Sequence, residues 1–304
     1  LSTGPADESD QTLTFSATGY DAALFAVAPA IDASGVLTFT PAADANGNTT
    51  VTVSLSDNGG TAREGVDTSP ATASLNISIT AVNDAPQLTA PAALTAEEDI
   101  AAALTGFSIS DVDANSFSVS LAVSQGILNL AETQGISFAA GSNASDVMTL
   151  TGSGSDLITA LNSLTYQGDT DFNGSAVLTV TVSDLGAAGS GGPLTDTDTV
   201  NITVNAVNDD PTLDTIDDLT VAEDSGMTAI NLSGIGSGAA DEVQELTLSA
   251  DSNPSGLIDL NVIYTSPDAT AVLQVTPLAD AFGQTDVTVT LSDGTNDVVQ
   301  SFQI

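Results

Sequence analysis

The chain has 304 residues, 40 of them acidic and one, Arg63, basic, for a formal charge of −39 at pH 7. That balance excludes nucleic acid and anionic membrane surfaces as partners, because phosphates and acidic headgroups are held by Lys and Arg, and no apolar run approaches the roughly 18 residues that membrane insertion needs; what such a chain attracts is cations. The charge does not imply disorder, since 41% of the residues are hydrophobic and they alternate with Thr and Ser in runs that can bury a core.

In the first third, Asp44-Ala45-Asn46-Gly47 precedes a period-two run of Val51, Val53 and Leu55 that ends at Asp57 before Asn58-Gly59. Alternation of this kind reads as a half-buried strand, and Asn-Gly as a turn in which positive φ is tolerated. Leu75, Ile77 and Ile79 form another strand, which runs into Ala81-Val82-Asn83-Asp84-Ala85-Pro86.

The middle of the chain carries the acidic run Glu97-Glu98-Asp99 and the triplet Asp111-Val112-Asp113. One helix is expected, over 156–164, where Leu157, Ile158, Leu161 and Leu164 keep helical spacing behind a cap at Ser155 or Asp156. Asp169 and Asp171-Phe172-Asn173-Gly174 follow, then Leu178, Val180, Val182 and Asp184, then a strand with Val200, Ile202 and Val204. That strand leads to Ala206-Val207-Asn208-Asp209-Asp210-Pro211, the earlier hexapeptide returned from position 81 to position 206, a displacement of 125 residues. The last third has Asp241-Glu242, then Asp280-Ala281-Phe282-Gly283, Val287, Val289, Leu291 and Asp293. In all three thirds the landmark aspartates (44 and 57, 171 and 184, 280 and 293) stand 13 apart.

Such a period exceeds that of solenoid units and suits autonomous domains. Many short strands with turn signals and no αβ alternation predict an all-β chain of tandem antiparallel β-sandwiches arranged end to end. The units are expected at 1–84, 85–209 and 210–304. The first begins near Ala6-Asp7-Glu8 without a counterpart of Leu219-Thr220-Val221-Ala222-Glu223-Asp224, so its first strand is missing, and the third stops at Phe302-Gln303-Ile304, short of another junction. The expectation is a stretch of a longer repeat protein, with a strand donated by a neighbouring subunit as the alternative.

The AVNDAP-type junction, the strand ending in Ser-Asp before a Gly-rich hairpin, and Ala160-Leu161-Asn162-Ser163-Leu164-Thr165-Tyr166 running into Asp171-Phe172-Asn173-Gly174 resemble the bacterial cadherin-like repeats of giant secreted adhesins. The resemblance covers essentially the whole chain. It implies Ig-like sandwiches joined through calcium into an extracellular rod, on a bacterial surface or secreted. The implied function is to extend or hold an adhesive domain or to form a surface fibre, with adjacent repeats, neighbouring subunits and a cell-surface protein or glycan as partners. The alternatives are a glycan- or protein-binding module and a spacer of a secreted polysaccharide-degrading enzyme.

The same resemblance implies where the ions sit. A junction gathers an Asx linker, acidic groups from the base of the preceding unit, and an Asp-x-Asp with a strand-end Asp from the top of the next. For the first junction these are Asn83 and Asp84, Asp44, then Asp111, Asp113 and Asp184. For the second they are Asn208 and Asp209, Glu98 with Asp169 or Asp171, then Asp241, Glu242 and Asp293, with Asp241-Glu242 replacing Asp-x-Asp. One or two ions per junction are expected. Chemistry supports this, because calcium takes six to eight oxygens and needs neither His nor Cys, of which the chain has none. The competing reading is that the linkers are solvated turns and that Asp57, Asp184 and Asp293 cap the hairpins that follow them. An enzyme is not expected: the side chains used most for acid–base and nucleophilic catalysis, His, Cys and Lys, are absent, and without Trp an aromatic sugar platform is hard to build.

Overall fold

The computed structural model describes residues 10–60, 67–69, 71–186 and 189–304. The opening Ala6-Asp7-Glu8, and with it Arg63, lies outside the described residues. The chain is all-β, and alternation decides it: strand after strand buries one side chain in two.

In the first third, β1 (Thr14–Thr18), β4 (Gly47–Ser56) and β5 (Ala73–Ile79) form one antiparallel sheet, and β2 (Phe25–Ile31) pairs with β3 (Leu37–Pro41) in another. Their shared core is small, with Leu24, Phe25, Val51 and Ile77 buried. Tyr20 and Phe39 meet the Phe25 ring edge-on at centroid distances of 5.7 and 5.5 Å, the arrangement aromatic quadrupoles favour.

In the middle third the chain runs β6 (Gln87–Thr89), β7 (Ala93–Glu97), β8 (Ala102–Leu104), β9 (Ser108–Ser110), β10 (Ser116–Val123), β11 (Ile127–Leu130), β12 (Ile136–Gly141), β13 (Val147–Ser153), the helix α1 (Gly154–Leu161), β14 (Leu164–Gln167), β15 (Gly174–Ser183) and β16 (Thr195–Asn205). A six-stranded sheet, ordered β12-β13-β10-β15-β16-β7, faces a sheet ordered β11-β14-β8. Between them Leu121, Leu128, Leu150, Leu178, Val180 and Ile202 are buried, with Tyr166 among them; the aliphatic side chains contribute roughly 1.5–3 kcal/mol each. The pair β16–β7 is parallel, with Asn201 opposite Ala93 and Asn205 opposite Glu97.

The helix lies where hydrophobic spacing places it, but it starts earlier and ends sooner than the sequence predicts. Ser153 is the cap: its Oγ accepts from the Asp156 amide at 3.2 Å and donates to Asp156 Oδ2 at 2.6 Å, a reciprocal arrangement akin to a capping box. Asn162 ends it by turning its side chain to the amides of Gly106 and Phe107, and Leu164 belongs to β14.

The last third repeats the plan with fewer strands: β17 (Thr228–Leu232), β18 (Thr247–Asn253), β19 (Ile258–Ile263), β20 (Ala271–Pro277), β21 (Asp286–Ser292) and β22 (Asp297–Gln303). The sheets are β17-β20-β19 and β18-β21-β22, closed over Leu273, Val275, Val287, Val289, Leu291 and Phe302. Register equates β18 with β10, since Leu248 faces Leu291 on β21 as Val119 faces Val182 on β15. The strands β15 and β21 deliver Asp184 and Asp293 to the same end of their sheets, next to the Asx linkers.

Candidate metal sites at the two Asx linkers

Five aspartates sit at backbone positions that side chains rarely adopt. Asp44, Asp99, Asp171, Asp224 and Asp280 have φ between 54° and 60°, the left-handed region, which Asp tolerates better than most residues. Four of them pair in the same manner twice: the Asp171 amide donates to Asp99 Oδ1 and the Asp280 amide to Asp224 Oδ1, both at 3.3 Å.

At the first linker, Asn83 is buried and donates from Nδ2 to Asp184 Oδ2 at 2.5 Å and to the Gly192 carbonyl at 3.1 Å. Asp184, fully buried, uses its other oxygen to accept from the amides of Gly186 and Leu194 at 2.8 and 2.9 Å. It therefore caps its hairpin and holds the linker at once. Asp111 Oδ1 accepts from the amides of Asp113 and Ala114, and Asp113 Oδ2 accepts from the Asp84 amide at 2.9 Å. Asp84 is pushed above the ordinary carboxylate value, first by desolvation and then by the nearby charges of Asp44, Asp113 and Asp111. The charges of Asp44, Asp111 and Asp113 thus act on Asp84, though a cluster of three carboxylates within 4.8 Å of one another is found at the second linker and not here among the described residues.

The second linker repeats this frame with substitutions. Asn208 Nδ2 donates to Asp293 Oδ2 at 3.0 Å, while Asp293 Oδ1 accepts from Thr295 and Asn296. Glu242 takes the place of Asp113, accepting from the Asp209 amide at 2.9 Å; one extra methylene bridges the difference. Gln244 donates to Asn208 Oδ1 at 2.6 Å. The buried Glu98 accepts from the Val207 amide at 2.5 Å. Carboxylate oxygens of Asp99, Asp171 and Asp209 all lie within 4.8 Å of one another. Asp209 is raised by desolvation first, then by Asp171, Glu242, Asp99 and Glu98. Asp241 is exposed and meets Asn173 Nδ2.

Of the alternatives Asp169 and Asp171, it is Asp171 that the structure brings to Asp209. Asp169 turns away to accept from the Gly126 amide at 3.1 Å, in the turn after β10. Asp99, absent from the expected set, takes a central place. Its signal was in the sequence: Glu98-Asp99 returns as Glu223-Asp224 at the displacement of 125 that also relates the linkers.

Whether these residues suit a metal is tested by the atoms left over. Asn83 Oδ1, Asp111 Oδ2, Glu98 Oε2, Asp209 Oδ2 and Glu242 Oε2 are buried and have no hydrogen-bond partner. Buried oxygens without a donor are costly, and carboxylate oxygens most of all. Of the ten such atoms among the described residues, four are carboxylate oxygens and all four of those lie at a linker, with Asn83 Oδ1 beside them; a set of oxygens of this kind fits a hard divalent cation.

No protein-family model matches the chain, and no curated protein matches it. Solved structures similar to it include human CDH23 EC21-23, at 15% identity and a TM-score of 0.44 over 96% of this chain and 88% of that one. Mouse clustered PcdhgC3 EC1-3 follows at 13% identity and 0.40, over 100% and 90%. An endo-fucoidan hydrolase of glycoside hydrolase family 107 matches at 18% and 0.26, over 95% of this chain and 38% of that one. Likenesses of this strength leave the functional reading to the chain's own geometry. No helix among the described residues is long and apolar enough to cross a membrane.

Proposed function

We propose that the chain is a calcium-stabilised extracellular repeat region, three cadherin-like units at 1–84, 85–209 and 210–304, acting as a structural extender in bacterial surface adhesion. The observation that carries this is the five partnerless buried oxygens gathered at two linkers of a chain with one basic residue. Asn83, Asp84, Asp44, Asp111, Asp113 and Asp184 would hold the ion at the first linker; Asn208, Asp209, Glu98, Asp99, Asp171, Glu242 and Asp293 would hold it at the second. A divalent cation there supplies the positive charge that the surrounding carboxylates lack. The protein's own part is to fix the oxygens: each linker is tied to the following unit by an Asn-to-Asp bond and an amide-to-carboxylate bond. What remains is the base of the preceding unit, and a cation shared between that base and the linker locks one unit against the next.

The test is stability and shape together. With a dissociation constant of about 0.1 mM, as in extracellular modules, calcium at about 10 mM adds about 2.7 kcal/mol per site. The melting temperature should rise by several degrees over chelator, and small-angle scattering should report a stiffer, longer particle with calcium. Equal melting curves and equal scattering profiles with and without the ion would remove calcium from the function.

A further inference from the structure

The sheet edge formed by β18 is free among the described residues, whereas its counterpart in the middle third is occupied. There β10 pairs on one side with β15 and on the other with β13, antiparallel, with Ser116 opposite Ser153 and Ala122 opposite Val147. The covering strand belongs to an insertion. In the middle third the residues between β11 and β14 include β12, β13 and α1, but between β19 and β20 the chain passes directly through 264–270. As a result β18 ends its sheet with no described strand hydrogen-bonded on that side, and an unpaired edge presents amides and carbonyls to a further strand. Carried over from β10, the pairing stretch is Glu245–Asp251; at its start the Leu246 amide already donates to Ser266 Oγ at 3.0 Å, so the open part of the edge is Thr247–Asp251.

The free edge is not flush with its surroundings. A cavity of about 740 Å³ opens beside it, lined by Thr247 and Leu248 of β18, Val262 of β19, and Gln244 and Tyr264. Gln244 Oε1 is buried and has no partner. Exposure alternates along the stretch: Glu245, Thr247, Ser249 and Asp251 point to solvent, while Leu248 and Ala250 are half-buried toward the second sheet. An incoming strand would therefore meet apolar side chains on its inner face and two carboxylates at the ends of its outer face.

We propose that β18 with its cavity is a docking edge for an extended, basic strand of another protein, added antiparallel as β13 is added to β10. Charge selects the partner. The last third contains no Lys or Arg, and the chain as a whole carries −39, so a second copy would bring a repelling field, whereas Lys or Arg at alternate positions would face Glu245 and Asp251. The inner residues of such a strand would cover Leu248 and Ala250 and close the cavity.

The experiment titrates the 15N-labelled full chain, in calcium sufficient to fill the linker sites, with a peptide of about nine residues alternating Lys with Val and Thr; at about 3.3 Å per residue it spans the edge. Saturable amide shifts should concentrate on Thr247–Asp251. Binding should weaken about tenfold when alternate peptide amides are methylated, and by a similar factor in Ser249→Lys, whose exposed position leaves the fold intact. Four outcomes would overturn the proposal: shifts confined to the linker aspartates, equal binding of the methylated peptide, equal binding of a Glu-for-Lys peptide, or concentration-dependent shifts of β18 without peptide, which would mean that a second copy takes the edge.

Discussion

Asp111 and Asp113 carry the residue-scale case for a cation, because Asp111 keeps one oxygen for its own turn and leaves the other without a donor. Changing both to Asn should remove ion binding at the first linker and leave the cores beside it folded, since the carboxylates serve the ion and not the packing. Asp32 is the control: its Oδ1 accepts from Ser34 and Val36 in an exposed turn, so Asp32→Asn should alter no ion count. Isothermal titration decides, and loss of the same number of ions from both variants would sink the assignment. The pH dependence follows from four shifted aspartates at the linkers. Asp84 and Asp209 are raised in the folded state, so in chelator they cost stability at neutral pH, and that cost is relieved as pH falls through their folded values. Asp184 and Asp293 are lowered. At Asp184 desolvation opposes the shift but is outweighed by the bonds from Leu194, Asn83 and Gly186; at Asp293 the Asn296 amide leads, with Asn208 next. Their stability is present above the unfolded carboxylate value, about 3.9, and is lost as pH falls through the folded one. Metal-free protein should therefore be most stable on the acid side of neutrality, and calcium should move that maximum upward. A metal-free urea midpoint that climbs steadily to pH 7 would contradict this.

At the scale of elements, the sequence made the strands plain and their ends less so. Alternation is unambiguous in runs such as Leu178, Val180 and Val182, because side chains on a strand alternate faces whatever the neighbours do. The helix was visible from Leu157 and Leu161, but two serines, Ser153 and Ser155, flank its first residue, and choosing Ser153 requires knowing that Asp156 answers it three positions on. Ser153→Ala should cost about 1 kcal/mol, read as a lower urea midpoint for the middle third; an unchanged midpoint would mean the helix is held by packing alone. The linker sites were legible where they repeat. Asn83 and Asn208 return within the repeated hexapeptide, and Asp184 and Asp293 stand thirteen residues after Asp171 and Asp280, so their correspondence could be read from the sequence, while a role as ligands was implied by the resemblance alone. Asp99 was hidden in an acidic run that solvation explains equally well, and Asp169 and Asp171, two apart, differ only in which one the left-handed turn aims at Asp209.

For the whole molecule, what matters is how the two ends of a unit are connected. The strand leading out of the middle third, β16, lies parallel to β7 near its entry, over the pairs from Asn201–Ala93 to Asn205–Glu97. The last third has a comparable contact, the Leu219 amide donating to the Gln303 carbonyl at 2.9 Å. Parallel entry and exit strands place the points where the chain comes in and goes out at opposite poles, so tension along the chain pulls the two strands past each other. Every bond between them is then loaded in shear and must fail together, whereas an antiparallel pair pulled from one end unzips a bond at a time. Since Glu98, one residue beyond β7, also grips Val207 at the exit, a cation held beside it would brace the clamp at its most stressed point. Single-molecule stretching should show the middle third breaking at a higher force in calcium than in chelator, and Glu98→Gln should lower that force. An unchanged rupture force in that variant would place the load elsewhere; a lowered one would mean that the proposed extender bears tension through its entry and exit strands.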